Sequence, residues 1–280
     1  MVNMKLSVLV DNNTIIDRYF FAEPALSFLI QDQETTVLFD TGYSGIFIQN
    51  AYKMGLDLSF LNYLVISHGH FDHTWGLDAL VKYFTELRIE KRPFNKPQLV
   101  GHPQTFTSIE CPDLDELGSL LSAQKLSKHF ELQLSEQPQN LSERLTFLGQ
   151  IPRINDFESL PTNARKEGAQ ENDILIDDSA LVYKSSAGLV IITGCSHAGI
   201  CNIIEYAKQV CKVDRVAHII GGLHLLNPPE KQMQGTLAYL EKLRPDTVRA
   251  CHCTDLNAKI ALSKVCNLVE VGVGQCITYG

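Results

Sequence analysis

The chain is short of positive charge. Its 280 residues hold 24 Lys and Arg against 32 Asp and Glu, a formal net charge of −8, and no Lys/Arg-rich run occurs anywhere. Phosphate-backbone binding needs a positive surface, so nucleic acid is not the expected main partner, although a local basic pocket remains compatible with the composition. No run of about 18 apolar residues is present, which speaks against a membrane span. Residues 1–10 carry only a short apolar run without a small-residue cleavage site and read as a first strand, not a secretory leader. The eight cysteines form no CxxC pair, and in a chain of this length they read as free thiols of a cytoplasmic protein. Cys201, Cys211, Cys266 and Cys276 read as small apolar filler. There is no internal repeat and no low-complexity segment. What remains is ordinary globular composition, 45% apolar and 20% charged, enough for one large α/β domain over residues 1–280.

Periodicity organises that domain. Residues 5–10, 26–31, 35–39 and 62–67 have strand character. Trp75, Leu77, Leu80, Val81 and Phe84 mark a helical face directly afterwards. Residues 104–148 are more polar and less regular, with Leu114, Leu117, Leu120 and Leu121 at the spacing of a short helix. The segment reads as an insertion or lid. Residues 152–178 are loop-like. Residues 180–184 and 188–193 then form an expected hairpin. After it come a helix over 201–211, a strand over 215–220, a helix over 230–243, a strand over 246–251 and a helix over 257–265. This order fits two sheets covered by helices.

The chemistry concentrates in His68-Gly69-His70-Phe71-Asp72-His73, which contains three of the nine histidines. Alternate residues of an extended segment point the same way, so His68 and His70 can reach one ion, and Gly69 lets backbone approach closely. Asp72 and His73 enter the next helix and turn toward a neighbouring position. Imidazole and carboxylate donors suit zinc, iron or manganese. An open coordination position leaves room for an activated water.

HxHxDH after an apolar strand resembles the signature of the metallo-β-lactamase superfamily, and Phe39-Asp40-Thr41-Gly42 resembles its first motif. Further motifs follow in order: Ile151-Pro152-Arg153 with Phe157-Glu158, then residues 194–200 (GCSHAGI), 221–224 (GGLH) and 251–254 (CHCT). The series is similar to the subgroup that includes the archaeal dihydropterin–ribofuranosylaminobenzene phosphate synthases and many bacterial metal-dependent hydrolases. The resemblance implies an αββα sandwich, two mainly antiparallel sheets flanked by helices, with a site where strand ends meet. It implies metal ligation by His68, His70, Asp72, His73, His197 and His252, with Asp72 also catalytic and Asp40 supporting the metal loop from behind.

Other positions stay open. Cys195 stands where the superfamily often has a metal-bridging Asp, and is either a ligand or a buried thiol. His224 is a ligand or a substrate contact. His102 is a ligand, a proton donor or a loop residue. Arg153 is a phosphate partner for a substrate or a surface charge, and Lys166 likewise. His129 reads as a surface residue and His218 as a satisfied strand residue. The superfamily's usual third histidine before the Cys195 strand is missing. Asp177 and Asp178 lie near its place, either as substitutes or as a solvated turn. Two departures touch the pocket: Glu23 is followed by Pro24-Ala25 where the subgroup usually has His-Gly, and Thr254 by Asp255 where Gly is common.

The expected function is that of a metal-dependent hydrolase. It would hold one or two divalent ions and direct an activated water at a small-molecule substrate, phosphorylated substrates included. The alternatives are a synthase joining a dihydropterin diphosphate to an aromatic amine, and a non-catalytic metal-containing binding protein.

Overall fold

A computed structural model describes residues 3–112, 114–160 and 162–280. Two sheets face each other. The first runs, in spatial order, Cys276–Tyr279, Met4–Val10, Ser27–Asp32, Thr35–Phe39, Tyr63–Val65, Gln98–Gly101 and Glu131–Leu134. The second runs Thr247–Cys251, Val216–Gly222, Gly188–Thr193, Ala180–Ser185, Leu145–Phe147 and Gln139–Asn140.

Side-chain alternation along these strands builds three apolar layers. Leu6, Phe28, Ile30 and Phe39 of the first sheet meet Phe147, Leu181, Tyr183, Val190 and Ile192 of the second, all fully buried. The opposite face of the first sheet, with Leu29, Leu38, Leu64 and Leu99, packs on Phe47 and Ala51 of the helix Ile46–Lys53 and on Leu80 and Phe84 of the helix Leu77–Ile89. The opposite face of the second sheet, with Val182, Leu189, Ile191 and Ile219, packs on the helices Ile200–Cys211, Glu230–Leu243 and Leu256–Leu262. This is the expected αββα sandwich.

The strand sense is more evenly mixed than expected. In the first sheet Thr35–Phe39, Tyr63–Val65, Gln98–Gly101 and Glu131–Leu134 are parallel to one another, and the remaining pairings are antiparallel. In the second, Gly188–Thr193, Val216–Gly222 and Thr247–Cys251 are parallel. The parallel halves carry the functional consequence. Parallel strands end on the same side, so the loops after Phe39, Val65, Gly101, Thr193, Gly222 and Cys251 all open at one edge, as in other α/β sites.

Two readings of residues 104–148 are corrected. Glu131–Leu134 is the edge strand of the first sheet and Leu145–Phe147 an inner strand of the second, so the segment is not an insertion throughout. The leucine spacing over 114–121 forms no helix. Glu116 instead accepts the amides of Ile109 and Gly118 at 2.8 and 2.6 Å, folding a loop around its own carboxylate. The helix in this region is Ala123–Leu126, capped by Ser122. Among the described residues no helix is long and apolar enough to cross a membrane.

Candidate metal centre

The strand Tyr63–Val65 leads into a segment bent at Ser67 and Gly69 that returns to extended backbone at His70 (φ −62°, ψ 151°), where the helical turn Phe71–Thr74 begins. The change of period separates the ligands of this short motif into two sets. The ligand atoms of His68, Cys195 and His197 lie within 4.8 Å of one another, as do those of Asp72, His73, Cys195 and His252. Cys195 belongs to both. Its Sγ is 3.3 Å from Nε2 of His73 and 3.1 Å from Nε2 of His252. Asp72 Oδ2 is 3.2 Å from the same His252 nitrogen. His70 stands beside the first set, its ring centroid 4.7 Å from those of both His68 and His197.

Asp40 fixes which nitrogens face inward. Its Oδ2 accepts from Nδ1 of His73 at 2.7 Å and from Ser67 Oγ at 2.8 Å, while Oδ1 accepts the Ser67 amide at 2.7 Å. Ser67 has spent its proton on Asp40, so its oxygen receives Nδ1–H of His68, 3.0 Å away. Both histidines thus turn Nε2 inward, the orientation that ligating imidazoles need. A Cβ at Gly194 would come within 2.2 Å of Ser67 Oγ, so glycine is required where the Cys195 loop crosses this network.

Electrostatics fit a cation. Burial and the neighbouring imidazoles hold His68 and His197 well below the usual histidine range. Burial lowers His70 to about 4 against the pull of Asp72 and Asp177. These rings are neutral and ready to donate lone pairs. At His73 burial acts in the same direction, but Asp72 and Asp40 outweigh it and raise the imidazole to about 9, which marks a point where positive charge is favoured. Burial raises Asp72, yet His73 and His252 hold it well below the ordinary carboxylate range. The Cys195 thiol is pushed up by burial, and an ion with thiolate ligation would reverse that.

The donor set passes a direct test of fit. Nε2 of His68 and Nε2 of His197 are buried with no hydrogen-bond partner among the described residues. An unsatisfied buried polar atom costs roughly 1–3 kcal/mol, and here the two converge with Cys195 on one point. Four residues of these loops, Asp40, Ser196, His224 and His252, have φ between 50° and 65°. This left-handed backbone costs non-glycine residues about 1–2 kcal/mol each. Such strain clusters where function demands a fixed direction.

Residues 21–92 match the sequence profile of the metallo-β-lactamase superfamily. The matched segment contains Asp40 and the whole HxHxDH loop. A dihydropterin–ribofuranosylaminobenzene phosphate synthase of Methanocaldococcus jannaschii is 27% identical over 275 residues, 92% of this chain and 90% of its own length. An uncharacterised protein of the same organism is 28% identical over 97% of this chain and 99% of its own. Among solved structures, Tm1679, described as a metal-dependent hydrolase of the β-lactamase superfamily, superposes with a TM-score of 0.80 at 25% identity over 98% of both chains.

Around this candidate metal centre several sequence expectations change. His102 is fully buried but stays outside both ligand sets. Nδ1 accepts the Gln104 amide at 3.1 Å, and Nε2 lies 3.3 Å from Gln150 Oε1. Arg153 is not free for phosphate: its guanidinium donates to the carbonyls of Ile151 and Leu175 and to Ser159 Oγ. Lys166 is no surface charge either. It is buried, with Nζ 2.6 Å from Asp177 Oδ1.

Asp177 and Asp178 are fully buried, so neither forms a solvated turn, and neither joins a ligand set. Asp177 accepts the Gly69 amide at 2.8 Å, so the Lys166–Asp177 pair holds the His68–His70 backbone. Asp178 accepts the Ala198 amide at 2.8 Å, and burial raises its carboxyl to about 7. His224 is exposed beside the first set, its ring 4.1 Å from that of His197. His129 is exposed, and His218 is 2.9 Å from Thr247 Oγ1, as expected.

Asp11, Asn12 and Ser67 were not legible as site residues. Asp11 Oδ1 accepts the His252 amide at 2.9 Å and Asn12 donates to the His252 carbonyl at 3.1 Å, clamping that strained residue. Asp11-Asn12-Asn13 carries only a turn signal. Glu158 of the Phe157-Glu158 motif anchors a helix start, accepting the amides of Cys201 and Asn202 in the first turn of Ile200–Cys211.

Proposed function

We propose that the protein is a metal-dependent hydrolase of small molecules. One observation carries the reading: two convergent ligand sets share the sulfur of Cys195, and Nε2 of His68 and of His197 have no other partner among the described residues. His68 and His197 with Cys195, and Asp72, His73 and His252 with Cys195, would hold one or two divalent ions, zinc first among them and iron or manganese next, with His70 beside the first set. Such ions would supply Lewis-acid polarisation of a carbonyl or phosphoryl oxygen and an acidified water at neutral pH.

The chain's own groups do the rest. Asp40 and Ser67 keep the imidazoles in one tautomer. Asp72 is ionised and partly open to the adjoining cavity, so its carboxylate would accept a hydrogen bond from water there and orient it. His224, exposed next to His197, would contact a substrate bound at the first set.

The synthase reading is favoured by the 27% identity that spans nearly all of the archaeal enzyme. Two assays separate the readings. One follows ester, lactone and thioester cleavage by the metal-loaded protein. The other follows diphosphate release from a dihydropterin diphosphate and an aromatic amine. Cleavage without diphosphate release supports the hydrolase. Diphosphate release alone replaces it with the synthase.

A further inference from the structure

A cavity of about 590 Å³ opens beside the metal centre, and Asp72 and His252 form part of its wall. The rest of the wall is largely apolar: Pro24, Tyr43, Phe71 and Leu226 line it with the neutral Asn12, Cys253 and Thr254 and the acidic Asp255, and no Lys or Arg is among the described lining residues. Its aromatic side is rigid. Tyr43 stacks on Trp75 at 5.2 Å and meets Phe71 edge-on at 5.9 Å. Trp75 Nε1 is tied to the Gly118 carbonyl at 2.8 Å, and the Tyr43 amide to Glu23 at 3.0 Å.

Pro24 gives this wall an apolar ring and Asp255 gives it a carboxylate. The amides of Ala258 and Asn227 donate to Asp255 at 2.7 and 2.8 Å and hold it below the usual carboxylate range, so it stays charged. Arg153 and Lys166, the cations nearest in the sequence motifs, are committed elsewhere. An anionic group lying against Asp255 would meet like charge and no Lys or Arg of the wall, and its counter-charge would have to come from an ion held at Asp72 and His252. A flat uncharged ring would meet preorganised aromatic faces.

We propose that this cavity receives an uncharged, ring-bearing apolar group of the substrate and rejects a negatively charged one, with Phe71 and Tyr43 as the stacking wall and Asp255 as the discriminating charge. The inference rests on the reading of Asp72 and His252 as part of a catalytic centre.

The test is fluorescence titration of the purified full-length protein with two dyes of nearly equal shape. N-Phenyl-1-naphthylamine is uncharged, and 8-anilino-1-naphthalenesulfonate adds one sulfonate. The uncharged dye binds about 10-fold more tightly than the sulfonate. Phe71→Ala weakens the uncharged dye roughly 5-fold. Asp255→Asn narrows the gap between the dyes by about 3-fold or more, because it removes charge while keeping an amide oxygen for the helix start. Equal affinity for the two dyes with equal loss in Phe71→Ala overturns the proposal. So does binding of the uncharged dye that ignores Phe71→Ala in a variant with native melting behaviour. Dye binding needs no turnover. Intact discrimination in a protein that cleaves nothing would sink the hydrolase reading and leave the cavity's chemistry standing.

Discussion

Asp40 Oδ2 lies 2.7 Å from Nδ1 of His73, and the same carboxylate reaches His68 through the hydroxyl of Ser67. One buried anion therefore orients an imidazole in each ligand set. Asp40→Asn removes the charge and supplies one amide where two accepting oxygens are needed. Metal affinity should fall roughly 10–100-fold, read by competition with a chromophoric chelator. Unchanged affinity would mean that the imidazoles are held by packing alone.

Cys195 is the only ligand common to the two sets. Cys195→Ala should lower the bound metal below that of the native protein, and turnover with it. Cys195→Ser, with a harder and less acidic donor, should retain an intermediate amount. Elemental analysis of the three proteins checks the order. Equal metal in all three would return Cys195 to the role of a buried thiol.

The Lys166–Asp177 pair is buried, and its carboxylate also holds the Gly69 amide. Lys166→Met leaves Asp177 as an uncompensated buried charge, which should cost about 3–5 kcal/mol of stability by chemical denaturation. Lys166→Met with Asp177→Asn removes both charges and should recover a large part of that. Losses that simply add would show the two residues to be independent.

Gly69 has no room for a side chain: a Cβ would stand 2.4 Å from the Thr105 carbonyl oxygen. Gly69→Ala must move the segment between His68 and His70. It should reduce metal retention even where the protein stays folded, a combination read by circular dichroism beside metal analysis. Native metal content in this variant would contradict the close approach.

The site residues that could be read in the sequence are those whose signal is local. The HxHxDH loop, Cys195-Ser196-His197 and His252 each follow an apolar strand directly, and the parallel strands deliver them to one edge. Asp11 was illegible because the amide it accepts belongs to a residue 241 positions away. Arg153 and Lys166 misled because a cation in a motif looks the same whether it meets a ligand or a buried carbonyl or carboxylate. Reading residues 104–148 as an insertion or lid missed two sheet strands, because they are short and weakly alternating. Glu131–Leu134, for example, has only one fully exposed residue. The apolar cavity wall was spread over Pro24, Tyr43, Phe71 and Leu226, which no single periodic stretch connects.

The most direct test of the central claim is the metal content of the purified protein beside the His68→Ala/His70→Ala variant. The arrangement around Cys195 predicts about one or two equivalents of zinc, iron or manganese in the native protein, lost in the variant together with hydrolysis. A native protein that takes up no metal even after reconstitution would contradict it.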